Sequence, residues 1–163
     1  MLFNSYTFIF LFLPITLAGF WLLQGRRQHR PALSWLVLAS LFYYGWWEPR
    51  YLGLILASVI FNYAVGRALA HHRGSKPLLI LGVAVNLGAL AWYKYAGFLV
   101  VNINEVAGTS FHLHTIILPL AISFFTFQQI AYLVDIHRGG LPVNDLLNYS
   151  LFVTFFPQLI AGP

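Results

Sequence analysis

The chain has 163 residues, of which 60% are hydrophobic and 8% are charged, whereas roughly a quarter of the residues in an average soluble domain are charged. So few charges cannot cover a water-soluble surface, so lipid must surround much of the chain. The net charge of +5 comes from basic residues between apolar runs, which argues against a nucleic-acid partner, and the absence of cysteine excludes disulfides and thiol chemistry.

Long apolar runs without alternation predict an all-α fold, a polytopic transmembrane protein with about five spanning helices. The predicted spans run from Tyr6 to Leu23 with a kink at Pro14, from Ala32 to Trp47, from Tyr51 to Ala70, from Pro77 to Val101 and from Ile116 to Ile136. A sixth apolar stretch, from Leu146 to Ala161, is interrupted by Pro157, which favours a re-entrant segment or the start of another span. The stretch 101–115 is the most loop-like, and no linker divides residues 1–163 into domains.

The basic residues predict the orientation of these spans. They stand in the first loop, between the third and fourth spans, and after the fifth: Arg26, Arg27, Arg30, Arg67, Arg73, Lys76 and Arg138. All three groups fall on one side if every helix crosses, and the positive-inside rule places that side in the cytoplasm and the N-terminus outside. The first span lacks the basic start and the cleavage site of a secretory signal, so it is predicted to remain as a helix.

Charged residues at the edges of apolar runs are costly unless they have a partner or reach water. Lys94 is predicted either to snorkel to the headgroups or to be an internal cation facing a carboxylate or a polar cavity. Together with Arg138, it forms the predicted set of structural, buried polar residues. Asp135 lies three residues before Arg138, which favours an interfacial ion pair or a contribution to a cytoplasmic substrate mouth.

Uncharged polar residues also occur inside the predicted spans. Ser123, Thr126 and Gln129 have near-helical spacing and predict one polar stripe, used for interhelical hydrogen bonds or as the wall of a tunnel. Asn62 and Asn86 are interpreted in the same way, with interhelical packing favoured.

The histidines do not predict a metal site or a reaction. His112 and His114 form an H-x-H pair, but two imidazoles without a nearby third ligand make a weak metal site, so no metal is predicted. Motifs for a nucleophile elbow, a phosphate-binding glycine loop or a metalloprotease helix are absent from the sequence. The residues alone therefore predict a polytopic membrane protein with buried polar groups and name no reaction.

Three stretches of the sequence resemble one family. They are Trp92 to Phe98, similar to Tyr-Lys-Tyr-x-x-Phe, then Leu118 to Gln128 running on through Tyr132 to Gly139, and Phe155 to Pro163, all preceded by the opening Met1 to Ser5. Together they resemble the bacterial alginate O-acetyltransferase branch of the membrane-bound O-acyltransferases, over essentially the whole chain but only the front part of a typical member. Ala121 stands where the family often has glycine, and His137 where it often has tyrosine.

The resemblance implies a multi-pass protein of the bacterial cytoplasmic membrane that takes acetyl groups from acetyl-CoA or another acetyl donor inside. A central tunnel passes them toward an exported polysaccharide such as alginate. It implies membrane lipid, the acyl donor and periplasmic polysaccharide-acetylation proteins as partners, and no bound cofactor. The family's catalytic histidine lies in a later region, so no catalytic residue is assigned here. Gln128, Gln129, Asp135 and Gln158 are predicted to line part of the tunnel.

Two further functions fit the same residues. One is a non-catalytic membrane scaffold, or a half-protein that assembles with a separately encoded catalytic subunit. The other is a small transporter that uses the polar stripe and Lys94. The ending Leu-Ile-Ala-Gly-Pro stops at a turn signal without a polar tail, which predicts that these residues are a fragment of a longer chain.

Overall fold

The described part of the chain is built from helices. The computed structural model describes residues 4–24, 29–47, 49–72, 74–107, 119 and 121–161. A π-helical turn (Phe8–Phe12) leads into α1 (Leu13–Leu23), followed by α2 (Arg30–Trp47), a 3-10 turn (Pro49–Tyr51), α3 (Leu52–His71), α4 (Lys76–Ala107), α5 (Ile122–His137), α6 (Leu146–Thr154) and α7 (Phe156–Ala161). No strand occurs within these residues, which confirms the predicted all-α fold.

Within the described residues, two helices are long and apolar enough to cross a membrane. They are Pro49–His71, which joins the 3-10 turn to α3, and Lys76–Val106, which makes up nearly all of α4. Phe8–Leu23 is a shorter apolar helix. Near Pro14 the hydrogen bonding of this helix changes from π-helical to α-helical. Pro14 lies in the first turn of α1, where a residue without an N–H is tolerated.

The fourth predicted span is longer in the structure. α4 continues to Ala107, so the loop predicted for 101–115 is wrong as far as residue 107, and the remaining residues of that loop lie outside the described residues. Asn102 supports the extension, because its Nδ2 donates to the Phe98 carbonyl at 2.7 Å. The polar residues of 101–107 suggested a loop, but this segment contains no proline or glycine that would end the helix before Gly108.

The fifth predicted span is divided at Ala121. This residue has φ 57° and ψ 19°, a left-handed conformation, and α5 begins only at the next residue, Ile122. The N–H of Ile122 donates to the Pro119 carbonyl at 3.3 Å. A left-handed residue cannot continue a right-handed helix, so the apolar run from 116 to 136 is not a single helix. Residues 116–118 and 120 lie outside the described residues.

The sixth apolar stretch folds as two short helices, α6 and α7. The break falls at Phe155, whose φ of −55° and ψ of 111° are extended, and not at Pro157 as predicted. Pro157 instead occupies the first turn of α7, where its missing N–H removes no helical hydrogen bond. Asp145 caps the start of α6, because its Oδ1 accepts the N–H of Leu147 at 3.2 Å.

α3 lies at the centre of the described helices. It contacts α2, α4, α5 and α6, while α1 packs against α2. A large apolar cluster joins the central helices and includes Ile55, Val59, Leu69, Phe125, Leu133, Tyr149 and Val153. A second cluster joins the π-helical turn to α2 and α7, and consists of Phe8, Phe12, Ala39, Tyr43 and Phe156.

α3 and α5 approach each other closely at Gly66. A Cβ atom at this buried position would lie 2.6 Å from Cε1 of the Tyr132 ring, which is too short for two carbon atoms. Small residues at helix crossings permit such close packing in membrane proteins. Glycine at position 66 therefore sets the separation of the two helices.

Replacing Ala121 with glycine is expected to stabilise the protein by about 1 kcal/mol, because a side chain in the left-handed conformation is penalised and glycine is not. Ala131, which is exposed in the middle of α5, is the control, and glycine there is expected to destabilise by roughly 0.5–1 kcal/mol. Reversible unfolding of the purified native protein in detergent micelles measures both changes. Destabilisation at both positions would contradict a strained Ala121.

Candidate functional site

Two asparagines from neighbouring helices pair inside the bundle. Asn62 of α3 is 0% exposed and Asn86 of α4 is 4% exposed. Each Nδ2 donates to the Oδ1 of the other residue, at 3.1 Å from Asn62 and 2.6 Å from Asn86. The second N–H of each amide donates to the carbonyl one turn earlier, at Ser58 and Gly82. Every amide N–H is used, as burial requires, and the predicted packing role of both residues is confirmed.

Gln129 connects three helices. It is fully buried in α5, where its Nε2 donates to Oγ of Ser58 on α3 at 3.0 Å and its Oε1 accepts from the Tyr149 hydroxyl on α6 at 3.4 Å. Ser58 also supplies the carbonyl that Asn62 uses, so both sets of hydrogen bonds meet there. We call Ser58, Asn62, Asn86, Gln129 and Tyr149 the polar core.

Gln128 lies beside the polar core but contacts a different part of α6. Its Nε2 donates to the Phe152 carbonyl at 2.8 Å, while its Oε1 is buried without a hydrogen-bond partner among the described residues. A buried acceptor that is left open is a place where water or a polar ligand can be held. Both glutamines therefore reach α6, and their lining of a tunnel stays a prediction.

A cavity of about 200 Å³ adjoins the polar core between α3, α4 and α5. Its wall is mostly apolar, and its polar part consists of Ser58, Asn62, Asn86 and Thr126. Thr126 is 2% exposed. Since Gln129 bonds to α3 and Thr126 lines a cavity with α3, these two members of the predicted polar stripe face the same neighbouring helix.

The chemistry of the polar core is that of neutral amides and hydroxyls. No carboxylate or imidazole among the described residues hydrogen-bonds to it, so it has no positioned base of the kind that acyl transfer needs. Within the same residues, no group of three or more potential ligands could hold a metal ion. His112 and His114 lie outside the described residues. The polar core can join helices and present a polar wall.

The other two predicted tunnel residues lie apart from the polar core. Asp135 is exposed near the C-terminal end of α5, and it forms no ion pair with Arg138. Gln158 is half-buried in α7, which packs on α2 and α6. The structure therefore brings Gln128 and Gln129 together and leaves Asp135 and Gln158 elsewhere.

Lys94 and Arg138, predicted as structural, buried polar residues, both have exposed side chains in the described part of the chain, and for Lys94 this favours the predicted snorkelling over an internal cation. Nζ of Lys94 lies 5.4 Å from the centre of the Tyr95 ring, within the range of a cation–π contact. A long basic side chain can cover apolar surface with its stem and keep its charged head outside. Burial of the charge itself would have needed a carboxylate partner, and the described residues supply none for either side chain.

Several polar residues of the interior were not predicted from the sequence. Ser58 and Tyr149 belong to the polar core, and Ser40, which is fully buried in α2, accepts the N–H of Phe156 through its Oγ at 3.3 Å. Ser58 had a signal, since it lies one helical turn before Asn62. Nothing in the sequence distinguishes Tyr149 from the tyrosines of the membrane interface.

The whole chain is similar to bacterial O-acetyltransferases. It is 42% identical to the probable alginate O-acetylase AlgI of Pseudomonas aeruginosa, over 100% of this chain and 32% of that protein. It is 40% identical to the protein of the same name from Pseudomonas putida and to the peptidoglycan O-acetyltransferase of Helicobacter pylori, over 100% of this chain and 35% and 36% of those proteins. The chain thus spans about a third of the length of these curated relatives. No protein-family profile and no solved structure matches it.

The helices, their exposed apolar side chains and the buried polar core are consistent with a helical membrane protein. Similarity to the O-acetyltransferases extends over all 163 residues. The chain belongs to the membrane-bound O-acyltransferase family, as the motifs of the sequence indicated, and corresponds to part of the length of its relatives.

Proposed function

We propose that the chain is part of a membrane O-acetyltransferase that passes acetyl groups from a cytoplasmic donor, acetyl-CoA or another acetyl carrier, toward an exported polysaccharide such as alginate. The observation that carries this proposal is the identity of 40% and 42% to O-acetyltransferases over the whole chain. Two of these relatives are named for alginate and one for peptidoglycan. A glycan outside the cytoplasm is common to both names.

In this proposal the chain supplies scaffold and wall. The polar core holds α3, α4, α5 and α6 together, and Gln128 with its open Oε1 presents an acceptor to the path of the acetyl group. Gln129 fixes the position of its neighbour through its own hydrogen bonds. Asp135 lies near one end of the path, at the C-terminal end of α5, and Gln158 on α7 extends the wall beside α2. The positioned base belongs to another part of the enzyme.

The proposed topology is about five spans in the bacterial cytoplasmic membrane with the N-terminus outside. The contacts support a common end for the basic residues, because Arg30 at the start of α2 and Arg67 near the end of α3 both contact the connection between α5 and α6. The positive-inside rule makes this the cytoplasmic end, where the acyl donor arrives. Membrane lipid surrounds the helices, and periplasmic polysaccharide-acetylation proteins meet the opposite end. Nucleic acid has no part in the proposal.

Deletion of the gene in its host is expected to remove ester-bound acetate from the exported polysaccharide without lowering the amount of polysaccharide. Acetate released by mild alkali measures the effect, and the gene supplied in trans should restore it. The Gln128→Leu variant, which removes the open acceptor, is expected to lower the acetate content at an unchanged amount of protein in the membrane. Asn102→Ala, an exposed change on α4, is the matched control. Unchanged acetate after deletion would rule the proposal out.

A further inference from the structure

A cluster of polar side chains surrounds the connection between α5 and α6, at the basic end of the bundle. The carbonyl of Asn144 accepts from the Tyr63 hydroxyl at 3.0 Å and from Nη1 of Arg67 at 3.4 Å. The next residue, Asp145, pairs with Nη2 of Arg30 at 3.5 Å. Since Asn144 and Asp145 are consecutive, these contacts bring the two guanidinium groups to the same short segment of chain.

A buried hydroxyl lies beside this cluster. Tyr132 of α5 is 9% exposed, and its hydroxyl has no hydrogen-bond partner among the described residues. The hydroxyl lies against Gly66, since a Cβ at that position would be 2.9 Å from it, and Gly66 directly precedes Arg67. The charge of Arg67 acts on this hydroxyl, and the backbone N–H of Val143 approaches its oxygen, so it is the O–H proton that lacks an acceptor among the described residues. A buried O–H donor without a partner needs an explanation.

The charges of the cluster leave one cation in excess. Arg30 and Arg67 carry two positive charges and Asp145 carries one negative charge. Asp145 is engaged twice, by Arg30 and by the N–H of Leu147 that it caps. Among the described residues Arg67 makes one long contact with a carbonyl, and its side chain is exposed. Most donors of its guanidinium are therefore unused within these residues, and Arg67 directly follows the glycine that lies against the Tyr132 hydroxyl.

We propose that Arg67 and Tyr132 bind a phosphate group at this end of the bundle, with Arg30 adding to the positive potential. A guanidinium offers several N–H donors in a fixed plane, which matches the oxygens of a phosphate, and the tyrosine O–H supplies a further donor from inside the protein. The phosphate belongs either to a phospholipid headgroup or to a soluble phosphorylated molecule. This site is separate from the polar core, and it does not depend on acetyl transfer.

The experiment uses the native protein in micelles of a maltoside detergent, which carries no phosphate, and follows its thermal unfolding. Pyrophosphate is titrated as the soluble probe, and phosphatidylglycerol is added to the micelles as the lipid probe. At least one probe is expected to raise the unfolding temperature in a saturable way. Arg67→Ala is expected to weaken that binding roughly tenfold or more, since a hydrogen bond to a charged group is among the stronger ones, and Tyr132→Phe by roughly two- to tenfold.

Two variants separate the site from general attraction between charges. Arg138→Ala removes one positive charge from an exposed position at the same end and is expected to leave the binding unchanged. Arg67→Lys keeps the charge and loses the planar arrangement of donors, so it should behave like Arg67→Ala. A response to pyrophosphate identifies a soluble phosphorylated ligand, and a response to phosphatidylglycerol alone identifies a headgroup. The proposal is overturned if neither probe binds, or if Arg138→Ala weakens the binding as much as Arg67→Ala.

Discussion

Replacing Asn86 with alanine is expected to lower the free energy of unfolding by about 1–3 kcal/mol. The change removes the amide that both donates to and accepts from Asn62, and it leaves that partner buried at 0% exposure with an open donor and acceptor. Unfolding of the native protein in mixed detergent micelles measures the change.

A matched control lies on the same helix. Asn102 also donates to the carbonyl one turn earlier, but it is exposed and its amide pairs with no other helix in the described structure. Asn102→Ala is therefore expected to have little effect. The double variant of Asn62 and Asn86 should cost less than the sum of the single variants, with a coupling on the order of 0.6–1.7 kcal/mol. Additive single changes would show that the two amides do not interact.

Adding one methyl group at Gly66 is expected to destabilise the protein by about 1–3 kcal/mol, because the new Cβ would lie 2.6 Å from the Tyr132 ring. An aromatic ring is a rigid neighbour, and Tyr132 is itself packed against the ring of Tyr149 at a centroid distance of 4.6 Å. The helices α3 and α5 must then move apart. The change in unfolding free energy of Gly66→Ala in micelles tests this expectation.

The control for this change is Gly53, near the start of the same helix. A Cβ there would meet nothing within 4 Å, so Gly53→Ala is expected to be neutral or to stabilise by up to about 1 kcal/mol through helix propensity. Comparing Gly66→Ala with Gly53→Ala separates the steric effect at Gly66 from the general effect of helix propensity. If both variants behave alike, the close approach at Gly66 does not limit the packing.

The sequence indicated which polar residues are buried inside the bundle more successfully than it indicated their hydrogen-bond partners. Asn62 and Asn86 were recognised as packing residues because an amide in an apolar helix needs a hydrogen bond. Their pairing depends on how far α3 and α4 are shifted relative to each other along their axes, which a local sequence pattern does not indicate. For the same reason Gln128 and Gln129 look equivalent in the sequence. In the structure both ends of the Gln129 amide are hydrogen-bonded, whereas Oε1 of Gln128 has no partner among the described residues.

The predictions failed mainly where one residue redirects the backbone. Ala121 takes a left-handed conformation that alanine rarely adopts, so the apolar run around it suggested one continuous helix. Phe155 interrupts the sixth stretch two residues before the proline that was expected to do so. The burial of Lys94 and Arg138 was overestimated, since a single apolar window does not show which way a long side chain turns.

The central position of α3 has a consequence for the order in which the protein is made. Asn62 and Ser58 leave the ribosome before Asn86, and long before Gln129, which completes their hydrogen bonds. For that interval the polar side chains of α3 lack their interhelical partners, and they are expected to stay near water, near the translocation machinery or against a chaperone. Each later helix then packs against a surface of α3 that already presents donors and acceptors for its interhelical hydrogen bonds. The biogenesis of this bundle is therefore sequential, and α3 is the template on which it proceeds.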